Sequence, residues 1–140
     1  MPTFLRFLAL LLLLVAATGS PLLAADSPEG PRQAAQRFYD QYVKVKDTIR
    51  WVAHSSAVTP KLKKAFLATM KDPNTEVDPI VEGQDVPSSG FKASEPVVKG
   101  ATATLTMKSS DSGFPQTIHV RLIFDGKAWL IDGVNKLNAK

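Results

Sequence analysis

QTIHVRLIFDGKAWLID, residues 116–132, is the stretch whose reading decides the fold. Gln116 to Asp125 and Lys127 to Asp132 are rich in β-branched and aromatic residues, which fit a pleated, half-buried surface. Asp125-Gly126 between them is the signal of a two-residue type I′ hairpin turn. Such a turn pairs Phe124 with Lys127, Leu122 with Trp129 and Val120 with Ile131. Side chains alternate with a period of two, so Ile118, Val120, Leu122, Trp129 and Ile131 share one face, while Thr117, His119 and Arg121 take the other. The expectation is an antiparallel hairpin with one apolar face, and Trp129 buried against a helix.

Upstream, Ala101 to Lys108 repeats the alternation, with Leu105 and Met107 set against Thr104 and Thr106. Phe91 to Val98 is a further β-rich run, and Lys99-Gly100 and Ser109 to Pro115 separate the runs. Earlier in the chain the period becomes helical. Ala34, Ala35, Phe38, Tyr39, Tyr42 and Val43 recur at three- and four-residue spacing, the stripe of an amphipathic helix. Pro31 fits its first position, where a missing N–H costs nothing. Ile49, Trp51 and Val52 suggest a short second helix, ended by His54-Ser55-Ser56. Thr59-Pro60 starts a third, with Leu62, Ala65, Phe66 and Met70 as its buried stripe. Helices followed by an antiparallel meander make an α+β domain. It comprises a long N-terminal helix from about Arg32 to Lys46, short helices to Met70, and a curved four-stranded antiparallel sheet. Trp129 is expected near Phe38 or Tyr42.

Between the halves lies DPNTEVDPIVEGQDVPSS, Asp72 to Ser89, with three prolines and five acidic residues and no Lys or Arg. Asp72, Asn74, Glu76 and Asp78 alternate like the start of a calcium-binding EF-hand loop. Val77, however, takes the position that demands glycine, and Gly83 the position of the bidentate glutamate. No metal site is therefore expected. Asp72 and Asp78 each precede proline, the arrangement of an N-cap and first-turn proline, so Asp78 would start a short helix through Glu82. Gln84 and Asp85 would satisfy loop N–H groups. Asp78, Gln84 and Asp85 are thus structural loop residues.

Outside the domain, Met1 to Ala9 carries one charge, Arg6, and leads into the unbroken apolar run Leu10 to Ala17. Breakers Thr18-Gly19-Ser20-Pro21 and the small pair Ala24-Ala25 follow. These are the three regions of a secretory signal peptide. The expected organisation is a signal peptide over 1–25, a flexible lead-in over 26–31, and a single α+β domain over 32–140. The implied location is the periplasm or the secreted fraction. No second apolar run approaches the roughly 20 residues of a membrane span, so no stable membrane insertion is expected after cleavage. The loss of Arg6 takes the Lys and Arg count from 17 to 16, against 13 Asp and Glu. Outside Lys61, Lys63 and Lys64 the cations are scattered, without the clustered footprint of a nucleic-acid binder. The chain has no cysteine, which excludes disulfides, a thiol nucleophile and a Cys-ligated zinc site. No cofactor motif occurs.

Three segments occur in order: FYDQYV (Phe38 to Val43), DPIVEGQD (Asp78 to Asp85) and FDGKAWLIDGV (Phe124 to Val134). With them the chain resembles the bacterial exported family called domain of unknown function 3828, in the nuclear-transport-factor-2-like (cystatin-like) superfamily. The resemblance spans roughly Gln33 to Val134. It implies a cystatin-like cone: a half-barrel sheet wrapped around the N-terminal helix, with a pocket between. Many members carry a cysteine where this chain has Gly83, so any role for that cysteine does not transfer. The pocket candidates are Phe38, Tyr39, Tyr42, Leu105, Leu122 and Trp129, with Tyr39 as a polar rim; the alternative, in a domain this small, is that these side chains meet and fill the cone, leaving no cavity. Their apolar character suits binding better than bond-breaking.

The reading that follows is a secreted, non-catalytic binding or adaptor protein. Its partner would be another protein or a small apolar ligand. The alternative is an enzyme of the superfamily's isomerase or hydrolase kind, with Asp40, Asp85 or His54 reaching the pocket. His119 falls on the sheet face opposite the apolar row and His54 in a polar turn, and no catalytic residue is assigned.

Overall fold

A computed structural model describes residues 28–109, 111 and 115–138. The signal-peptide expectation for residues 1–25, and residues 26 and 27 of the lead-in, lie outside the described residues. The described chain is α+β: α1 (Pro31–Tyr42), α2 (Thr48–His54) and α3 (Pro60–Lys71) precede β1 (Phe91–Ala93), β2 (Val97–Lys99), β3 (Thr102–Ser109), β4 (Thr117–Phe124) and β5 (Trp129–Val134). The sheet is antiparallel in the order β1-β3-β4-β5, with β2 also pairing β3. No helix among the described residues is long and apolar enough to cross a membrane.

The sheet has five strands, not four, because the run Phe91 to Val98 breaks. β1 pairs with the far end of β3 (Phe91 with Ser109) and β2 with the near end (Lys99 with Thr102). Pro96, in the gap, has no N–H to give the ladder. Ser94 spans the break instead: its N–H donates to Thr106 O at 2.8 Å, and its hydroxyl accepts the Thr106 N–H at 3.0 Å.

The first helix is also shorter than its stripe implies. It closes at Tyr42, and the next bonds, Lys44 N–H to Gln41 O and Val45 N–H to Tyr42 O, tighten into 3₁₀-type turns. Thr59 caps α3 as expected, its hydroxyl accepting the Leu62 N–H at 3.2 Å.

The β4–β5 register differs from the expected one by two residues. Phe124 faces Trp129 and Leu122 faces Ile131. The cause is Asp125, whose carboxylate accepts the N–H groups of Lys127 and Ala128, both at 2.8 Å, so the turn spans Asp125 to Ala128. Those N–H groups hold its carboxyl below the usual range, with Ala128 the larger contributor. A shift of two preserves the alternation, and Ile118, Val120, Leu122 and Ile131 are all buried.

Asp132 forms a bulge. Leu122 faces Ile131 while Arg121 faces Gly133, leaving Asp132 as the additional residue. It is buried, and accepts Thr59 Oγ1–H at 2.8 Å and Arg121 Nε–H and NH2 at 3.0 and 2.8 Å. Gly133 must be glycine, since a Cβ there would lie 2.9 Å from Asn138 O. The edge of β5 is covered by the segment before α3: Thr59 N–H donates to Ile131 O, and Ile131 N–H to Ala57 O.

One core joins these elements. α1 contributes Ala34, Ala35, Phe38, Tyr39 and Tyr42, and the sheet Leu105, Met107, Ile118, Val120, Leu122 and Ile131, among others. The ring near Phe38 and Tyr42 is Trp51 of α2, not Trp129. Its centroid is 5.4 Å from that of Phe38 and 5.8 Å from that of Tyr42. Trp129 has the inward parity but sits at the end of the ladder, half-buried against Phe124 at 5.4 Å.

Candidate functional site

Five of the six pocket candidates, Phe38, Tyr39, Tyr42, Leu105 and Leu122, come together, but as members of the core, each at most 5% exposed. Phe38 lies edge-on to Tyr39 at 5.4 Å and stacked on Tyr42 at 5.6 Å, so these rings fill the space between α1 and the sheet with one another. The polar ends of the tyrosines are spent inside. Tyr39 OH donates to Ile80 O at 3.0 Å, which makes it a buried anchor and not a rim, and Tyr42 OH donates to Asp78 Oδ2 at 2.6 Å. Burial, followed by the charges of Asp78 and Glu82, pushes the Tyr39 phenol well above its usual range. Burial, followed by the hydrogen bond to Asp78, does the same to Tyr42.

The acidic loop is held by a different arrangement from the one expected. Asp78 starts no helix. Its Oδ1 accepts the Ile80 N–H at 2.8 Å, an Asx-type local turn, while Oδ2 takes the Tyr42 phenol. The loop is pinned below by Ile80 and Val81, both buried. Gln84 donates to Glu76 O at 3.4 Å rather than accepting a loop N–H, and Asp85 is exposed.

The candidate catalytic groups do not converge. Asp40 is exposed and accepts Gln36 Nε2–H at 2.9 Å. His119 is exposed on the outer sheet face, where it pairs with Thr106. His54 is exposed at the end of α2, with Nδ1 2.8 Å from Arg50 O. A carbonyl can only accept, so Nδ1 carries the proton in the neutral ring and Nε2 is left as an acceptor.

A cleft of about 760 Å³ opens at the outer side of the α1–α2 junction, lined by Arg37, Gln41, Asp47, Arg50, Trp51 and His54 among others. Its volume lies within the roughly 300–1,000 Å³ usual for small-molecule sites. Each wall follows from local structure. Arg37 and Gln41 are four apart on the solvent side of α1, the face opposite its core stripe. Arg50, Trp51 and His54 project from the single short turn set of α2, started by Asp47, whose Oδ1 accepts the Arg50 N–H at 3.0 Å. Trp51 is half-buried, backed by Phe38 and Tyr42. Arg37 is ion-paired with Glu29 at 2.6 Å, whereas the Arg50 guanidinium has no partner among the described residues.

Apart from His54, this cleft escapes a reading by pattern. Arg37 and Gln41 read as the ordinary polar face of a helix, and Trp51 as a core residue. The one usable signal is an arginine next to a tryptophan on a helix too short to bury both. Comparison of the chain with protein-family models, with curated proteins and with solved structures gives no match, so the cleft's residues are its own evidence.

Proposed function

We propose that this is an exported, non-catalytic binding protein, built on a cystatin-like cone of the kind found in the domain-of-unknown-function-3828 family, whose recognition surface is the α1–α2 cleft. The observation that carries this reading is the division of labour among the aromatic residues. Phe38, Tyr39 and Tyr42 are consumed by the core, while Trp51 is held at its margin with donors around it. Aromatic floor plus a few convergent polar groups is the make-up of a binding site. The two acids and the histidine of the enzyme alternative support binding too: Asp40, Asp85 and His54 are all exposed and do not converge on one site. The signal-peptide pattern read over residues 1–25 favours action outside the cytoplasm.

Native mass spectrometry of the protein recovered from its own cell envelope or medium tests this. The expected result is a retained small-molecule mass that Trp51→Ala abolishes while the protein stays folded. Turnover of an ester or enol panel that His54→Ala removes would replace this reading with the enzymatic one.

A further inference from the structure

Resting on the assignment of the α1–α2 cleft as the recognition surface, we infer that its ligand is a small acidic ring compound, an oxyanion carried on a flat ring that stacks on Trp51. Two guanidiniums and an amide line the cleft beside one carboxylate. The Arg50 guanidinium is unpartnered among the described residues, and Arg37 and Gln41 of α1 line the same cleft. A guanidinium presents two parallel N–H groups that match an oxyanion's two oxygens. The carboxylate in the cleft wall, Asp47, is turned to its own backbone, with Oδ1 accepting the Arg50 N–H. Arg37 is already partly neutralised by Glu29, so Arg50 is the cation left for an incoming charge.

The ring requirement comes from Trp51. Phe38 and Tyr42 hold the indole from behind at 5.4 and 5.8 Å, so its orientation is set before a ligand arrives, and the part of its surface left uncovered borders the cleft. A rigid indole offers contact area at little entropic cost. The volume of about 760 Å³ is also far larger than an inorganic anion needs. A bare phosphate would use the arginine and leave the indole wet.

The chain has two tryptophans, so the folded protein gives two indole N–H signals in an ¹⁵N–¹H correlation spectrum, and Trp129→Phe assigns them. Trp129, at the end of the ladder beside Phe124, serves as the internal control. Benzoate and nicotinate are titrated to millimolar concentration as flat acidic rings, benzamide and nicotinamide as their neutral counterparts, and inorganic phosphate as an oxyanion without a ring. The expected result is a saturable shift of the Trp51 signal with at least one acidic ring, and about tenfold weaker binding to its neutral counterpart and to phosphate. Arg50→Gln, at an exposed helical position, keeps the unfolding midpoint and weakens the acidic ring about tenfold. Equal shifts with neutral rings, unchanged by Arg50→Gln, would overturn the anion requirement and leave the cleft assignment standing. Equal binding of phosphate would overturn the ring requirement. A Trp51 signal that none of the five probes moves overturns the inference outright, while the retained-ligand measurement above decides the cleft assignment separately.

Discussion

At the scale of single residues, three buried polar side chains, Asp132, Tyr39 and Tyr42, tie elements to one another. Asp132 collects a threonine hydroxyl from the α3 cap and a guanidinium from β4. Asp132→Ala removes the carboxylate that Arg121, only 23% exposed at its side chain, grips through Nε and NH2. Removing one partner of a buried pair costs about 3–5 kcal/mol, and the lower end applies because Arg121 also donates to Asn138 O. A urea titration reads the loss, and a variant as stable as wild type would show the bulge is held by backbone alone. The tyrosines give a pH signature. Tyr39 and Tyr42 are held neutral by burial and, to a lesser extent, by Asp78, so their folded pKa values exceed the unfolded value of about 10. Their contribution is complete below pH 10 and is lost as the pH rises beyond it, because the unfolded chain releases protons that the folded one retains. The urea midpoint is expected to fall between pH 8 and pH 11, and to fall less in Tyr42→Phe. Equal falls in both proteins would remove Tyr42 from the account.

Among elements, the weak point is the broken edge strand. β1 has β3 on one side only, and on the other its backbone is met by a side chain. Gln36 of α1 donates to Phe91 O at 2.7 Å and accepts the Ala93 N–H at 2.8 Å, so one amide does the work of a neighbouring strand. Gln36→Leu strands both groups at a part-buried site, for about 1–3 kcal/mol, and hydrogen exchange at Ala93 should accelerate more than at Met107 in the sheet interior. Pairing also places Lys92 opposite Lys108, a like-charge pair that costs stability. Lys92→Glu is expected to add about 0.2–1 kcal/mol at low salt, shrinking as salt is raised. A gain indifferent to salt would show that charge is not the cause. Gln36 also marks a limit of pattern reading. Ile118, Val120, Leu122 and Ile131 were legible as inward residues because parity survives a two-residue slip. The role of Gln36 depends on which element lies beside it, and nothing local encodes that, whereas the break of the edge strand carries a local mark in Pro96, which has no N–H to give.

For the molecule as a whole, the question is where the space is. The aromatic stripe Phe38, Tyr39 and Tyr42 is readable as one face of a helix whether it lines a cavity or fills one, since periodicity gives direction and not distance. The Trp51 cleft was illegible for the complementary reason, being assembled from the polar side of α1 and the end of α2. The packing favours a filled interior: Phe38 touches both tyrosine rings of α1, and both phenols have found partners. Interiors packed in this way leave no room for an added ring. A hydrophobic reporter dye is therefore expected to leave the folded protein dark at pH 7 and to brighten only through the unfolding transition. Tyr42→Trp should destabilise by about 1–3 kcal/mol through overpacking, and more if Asp78 loses its phenol. Phe38→Ala should cost about 3–5 kcal/mol, more than Trp129→Ala at the end of the ladder. Dye uptake by the folded wild type, together with a Tyr42→Trp variant of undiminished stability, would place a cavity between α1 and the sheet. The recognition surface would then return from the α1–α2 cleft to the interior of the domain.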